Sequence, residues 1–119
     1  PDDCAKGKVI VVDMPVLRYR ELGQFHAVIF KTLVQRAMLR REITPGMRPV
    51  VLWADEAQWF CLPDQDCMTQ TVARQSKLIS VILTQNLPTL YAALGGNEKA
   101  RMEGEGLLGN FATKILCSN

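Results

Sequence analysis

Val50-Val51-Leu52-Trp53-Ala54-Asp55-Glu56-Ala57 is an apolar run that closes on two adjacent carboxylates. A run without polar alternation fits a strand covered on both faces, and open parallel sheets gather their ligands at the carboxyl ends of their strands. The pattern is that of a Walker B strand, whose first acid holds magnesium, through water, and whose second polarises the water that attacks a phosphoryl group. On that reading Asp55 holds the metal and Glu56 is catalytic. The same eight residues also fit a buried strand running into a turn whose acids are solvated or cap the next helix.

The companion of a Walker B strand is missing from the 119 residues. No Gly-x-x-x-x-Gly-Lys-Ser/Thr occurs, and Gly95-Gly96-Asn97-Glu98-Lys99 lacks both the spacing and the hydroxyl that would meet magnesium. Without that loop there is no cradle of backbone N–H groups for the phosphates. The chain opens at Pro1 with no signal-peptide pattern, and residues 1–119 read as a single segment of a longer nucleotide-binding domain.

Hydrophobic residues make up 48% and charged residues 22%, as in ordinary folded domains, and a net charge of +2 is too small for bulk charge to argue nucleic-acid binding. Cys4, Cys61, Cys67 and Cys117 show no Cys-x-x-Cys spacing and His26 is the single histidine, which argues against zinc and for reduced thiols. The longest apolar runs are strand-length, short of the roughly 20 residues that span a bilayer. A membrane anchor would lie outside this sequence.

Upstream of the Walker B pattern, the β-branched run at 8–13 predicts a buried strand. Leu22, Phe25, Ile29 and Leu33 then recur three or four apart, which predicts a helix over about 19–41, stopped by Pro45-Gly46. Downstream, Pro63-Asp64-Gln65-Asp66 reads as a polar loop before a short helix over about 69–76, and residues 78–84 as a third strand. Helices over about 89–94 and 98–105 follow, with 97–106 the best candidate for a mobile loop or merely a solvated face. Residues 114–117 predict a short fourth strand. Strands alternating with helices make the class α/β, with a mainly parallel sheet of about four strands.

Two further residues stand where phosphoryl chemistry has use for them. Gln85 lies just past the third strand, where a strand-end amide beside Asp55 and Glu56 can sense a γ-phosphate or position water; it can equally satisfy a turn. Arg74 precedes that strand, and an arginine at a subunit edge can reach a neighbour's nucleotide; it can equally be an exposed helix charge.

The order Asp55-Glu56, Ala73-Arg74, then Leu83-Thr84-Gln85-Asn86 resembles the carboxyl-terminal half of the motor domain of conjugative type IV coupling proteins, TraG/TraD-like members of the HerA and FtsK superfamily. The likeness extends upstream to Val11-Val12-Asp13-Met14-Pro15 and to Gln35-Arg36-Ala37 with Arg40-Arg41, and downstream to Gly109-Asn110-Phe111-Ala112-Thr113-Lys114-Ile115. It implies a partial RecA-like P-loop NTPase fold from which the Walker A strand is missing, between the strands at 78–84 and 114–117. It also implies a hexameric ATPase anchored in the bacterial inner membrane, on its cytoplasmic face, by regions outside this chain. Such an ATPase uses ATP and Mg2+ to drive single-stranded DNA or protein, recruited as a relaxase–DNA substrate of the relaxosome, toward a type IV secretion channel. Asp55 and Glu56 match the Walker B pair, Gln85 the strand-end glutamine that contacts nucleotide, and Arg74 the trans-acting arginine finger. A chromosomal FtsK-like or HerA-like DNA translocase shares the chemistry, and a non-catalytic module docking relaxosome or secretion proteins is the reading from another class.

Overall fold

In the computed structural model, which describes residue 3 and residues 6–117, two strands and four helices form a mixed α/β unit. Helix α1 spans Val16–Arg40, strand β1 Val50–Ala54, helix α2 Pro63–Ala73, strand β2 Leu78–Ile82, helix α3 Leu87–Ala93 and helix α4 Glu98–Gly109. A short 3-10 turn, Ala57–Trp59, follows β1. The two strands pair in parallel, from Val50 opposite Leu78 to Ala54 opposite Ile82, with α2 as the crossover.

One face of this sheet carries the core. Val50 and Leu78 pack with Met38 of α1 and Ala73 of α2, and Val34, Ala37 and Leu52 close around them. Burying such side chains stabilises by about 25 cal/mol per Å² of apolar surface removed from water. Val51, Trp53 and Ile79 alternate onto the other face, which is open. At the amino ends of the strands the Arg41 guanidinium clamps two carbonyls: Nε and Nη2 donate to Ser76 O at 2.9 and 2.6 Å, and Nη2 donates to Lys77 O at 2.8 Å.

Among the described residues the sheet has two strands rather than four. Residues 8–13 and 114–117 have strand-like composition but carry no regular structure, and Val9 and Leu116 are 90% and 89% exposed. An apolar β-branched run becomes a strand only where an edge accepts its N–H and C=O groups, and neither run meets one. β2 ends at Ile82, two residues short of the expected boundary.

Helices gain where strands lose. Pro63-Asp64-Gln65-Asp66 is the first turn of α2, not a loop, because proline's fixed φ suits the first helical position and the acids face the positive end of the helix dipole. The helix expected over 98–105 forms as α4, Glu98–Gly109, so the loop candidate at 97–106 is taken up by it: the Asn97 side chain accepts from the Ala100 N–H at 2.8 Å and starts the helix. Gly95 and Gly96, at φ 118° and 67°, make the reversal between α3 and α4.

α1 confirms the expected helix, with a break at Arg20 (φ 47°, ψ −124°). Its buried stripe, however, is Ala27, Lys31, Gln35 and Met38, while Leu22, Phe25, Ile29 and Leu33 face outward. The polar members of that stripe are accommodated by one carboxylate of α2. Lys31 Nζ sits 2.5 Å from Asp66 Oδ2, and Gln35 Nε2 donates to Asp66 Oδ1 at 2.8 Å. The Leu62 N–H donates to Asp66 Oδ2 at 2.8 Å, so one acid ties α1, α2 and the segment after β1 together.

A candidate nucleotide-hydrolysis site at the carboxyl ends of the strands

The sheet pairing continues past the strand ends and shapes the turn that carries the two acids. The Leu83 N–H donates to Ala54 O and the Ala57 N–H donates to Leu83 O, each at 2.9 Å. Asp55 and Glu56 are therefore pinched out of β1 between two residues that both bond to Leu83. To make that reversal Glu56 takes the left-handed conformation, φ 50° and ψ 44°, which costs a non-glycine residue about 1 kcal/mol.

The conformation brings the Glu56 carboxylate to the end of β2. Gln85 Nε2 donates to Glu56 Oε1 at 3.2 Å, and Gln58 Nε2 donates to Glu56 Oε2 from the 3-10 turn. Gln58 is buried, and its Oε1 accepts from Thr84 Oγ1 at 2.9 Å. Asp55 is exposed in the same turn, where its Oδ1 accepts the Glu56 N–H at 3.0 Å. Three of the four sequence-derived site residues, Asp55, Glu56 and Gln85, thus share one strand-end cluster.

Arg74 does not join them. It caps the carboxyl end of α2, is exposed, and precedes the amino end of β2. The five-residue strand separates it from Gln85's end of the sheet by roughly 17 Å, at about 3.3 Å per residue.

Magnesium accepts one or two carboxylates and completes its shell with water and substrate phosphates. The adjacent Asp55 and Glu56 side chains meet that description. Among the described residues no group of three or more His, Cys, Asp or Glu side chains could hold a metal ion.

Gln58 and Thr84 were not singled out from sequence. The signal available was position alone: Gln58 follows Glu56 by two, and Thr84 adjoins Gln85. Also beyond the sequence reading is the group beneath the sheet, where the half-buried Cys61 lies beside the buried Asp66 and Lys31. Burial raises the Cys61 thiol from its ordinary value of 9.0 to about 12, the Asp66 charge and hydrogen bond add to the rise, and the Lys31 ammonium opposes it. Cys61, Cys67 and Cys117 are unpaired thiols, and Cys4 lies outside the described residues. No helix among the described residues is long and apolar enough to cross a membrane.

Comparison with protein-family models, with curated proteins and with solved structures found no match to this chain.

Proposed function

We propose that this chain is the Walker B portion of an ATP-driven motor domain, with Asp55 holding Mg2+ through water and Glu56 polarising the attacking water. The observation that carries the reading is the contact between Gln85 and Glu56: a strand-end amide and a strand-end carboxylate, from neighbouring parallel strands, meet at the carboxyl ends of the strands, where open parallel sheets in general gather their ligands. The strained backbone of Glu56 adds support, since such conformations persist where surrounding bonds over-determine them and cluster at functional sites.

At the larger scale the proposal follows the resemblance to coupling proteins. The motor is a RecA-like hexamer, held at the bacterial inner membrane by regions outside this chain, that passes single-stranded DNA from a relaxase to a type IV secretion channel. Arg74 stands at the far end of the sheet from Glu56, so a part for it in phosphoryl transfer requires the nucleotide of a neighbouring subunit. The open sheet face around Trp53 favours a second reading, a module that docks relaxosome or secretion proteins without hydrolysing ATP.

The test is steady-state ATPase of a longer polypeptide in which this sequence is joined to its phosphate loop. Glu56→Gln keeps the shape and removes the charge, and turnover should fall by about two to four orders of magnitude with ATP still bound. Unreduced turnover would remove the catalytic role of Glu56, and no turnover in the unsubstituted polypeptide would leave the docking module as the better account. Mixing Glu56→Gln with Arg74→Ala subunits should restore part of the activity if Arg74 acts across a boundary, and none at any ratio if it does not. The 119-residue chain alone, lacking the phosphate cradle, should show no turnover and no micromolar ATP affinity by calorimetry.

A further inference from the structure

We infer that Gln58, oriented by the Thr84 hydroxyl, is a positioning residue that fixes the Glu56 carboxylate; the inference rests on the proposed role of Glu56 in polarising water. A carboxylate only accepts hydrogen bonds, so the Gln58 NH2 must face Glu56 and its carbonyl must face Thr84. That orientation in turn requires the Thr84 hydroxyl to donate. The direction of the chain, Thr84 O–H to Gln58 Oε1 and Gln58 N–H to Glu56 Oε2, is thereby set by the charge at its end.

The two amides that hold Glu56 differ in kind. Gln85 is exposed and reaches Oε1 at 3.2 Å, whereas Gln58 is 4% exposed and anchored at both ends of its amide. A buried, doubly bonded amide holds its acceptor in one orientation, because releasing the bond would strand a polar group away from water. Gln85 is free of that constraint and can turn to a phosphate while Gln58 keeps Glu56 in place. A general base must be held within hydrogen-bond reach of the water it activates, and about 1 Å of misplacement costs on the order of 100-fold in rate.

Two matched variants separate the hold from mere packing. Thr84→Val keeps the shape and removes the donor, while Thr84→Ser keeps the donor and removes a methyl group. In the 119-residue chain, NMR should show the Gln58 side-chain amide protons and the Glu56 carboxyl carbon shifted in Thr84→Val and close to the unsubstituted values in Thr84→Ser. Backbone amide spectra report whether each variant is folded. In the longer polypeptide, Gln58→Ala and Thr84→Val should lower kcat by about 10- to 100-fold with KM for ATP within about two-fold, and Thr84→Ser should recover most of the rate. Equal signals in the two Thr84 variants, or equal kcat where Glu56→Gln abolishes turnover, would overturn the inference. Full turnover in Glu56→Gln would instead remove the catalytic reading, while the carboxyl-carbon shifts would still show or deny the hold.

Discussion

Glu56 couples a backbone cost to a side-chain position, and the two can be separated by substitution. Glycine visits the left-handed region freely, so Glu56→Gly should be more stable than Glu56→Ala by about 1 kcal/mol, although both remove the carboxylate. Urea denaturation of the two variants measures the difference. Equal midpoints would mean that the turn relaxes out of the left-handed conformation once the Gln58 and Gln85 bonds are lost. Cys61 gives a second residue-scale expectation. The folded chain keeps its thiol proton up to about pH 12, while the unfolded chain releases it near 9.0, so the unfolded state binds fewer protons between those values. This contribution to stability is therefore full below about pH 9 and is lost as the pH rises toward 12. At pH 8 the raised pKa should make alkylation of Cys61 much slower than in the same chain in denaturant, since the thiolate is the nucleophile. Mass spectrometry with exposed Cys117 as internal standard reads the rate, and equal labelling of the two cysteines in the folded chain would contradict the buried environment of Cys61.

Among the elements, α3 and α4 meet at a glycine. A Cβ added to Gly104 would lie 2.6 Å from Tyr91 Cε1, whereas one added to Gly106, a half-turn on, meets nothing within 4 Å. Gly106→Ala should therefore raise stability by about 0.5–1 kcal/mol through helix propensity, while Gly104→Ala should lower it by about 1–2 kcal/mol as α3 is pushed off α4. Thermal melts of the pair decide it, and a stabilised Gly104→Ala would show that Tyr91 swings aside at little cost. The elements also show what was legible from sequence. Helix α1 could be read from the spacing of Leu22, Phe25, Ile29 and Leu33, yet its facing could not. The buried stripe includes Lys31 and Gln35, and these are buried because Asp66, more than thirty residues away, supplies their partner. Periodicity registers apolar residues and is blind to a distant carboxylate. For the same reason the strand-end cluster of Asp55, Glu56 and Gln85 was legible, since it follows from where strands end, while Gln58 was not, since its place depends on the tight turn after Glu56. The runs at 8–13 and 114–117 failed in the opposite sense: their composition suits strands, but a strand needs a neighbour that composition does not report.

For the whole molecule the sheet is the decisive feature. Among the described residues two parallel strands leave an unpaired edge on each side, and no helix lies across the face bearing Val51, Trp53 and Ile79. Unpaired N–H and C=O groups beside apolar surface favour pairing with another chain. The chain should self-associate at tens of micromolar, and Trp53→Lys, which puts a charge on the open face, should shift it toward monomer in sedimentation velocity. A monomer at every concentration would show that this face is tolerated in water. That open face is also an optical instrument. Trp53, 65% exposed on the sheet, and Trp59, 43% exposed beyond the turn that carries the acids, are the chain's two tryptophans. Their emission should lie toward the red in the free chain, so a Trp59→Phe variant would report by a blue shift the moment anything covers the sheet, and a Trp53→Phe variant would watch the turn at Glu56 instead.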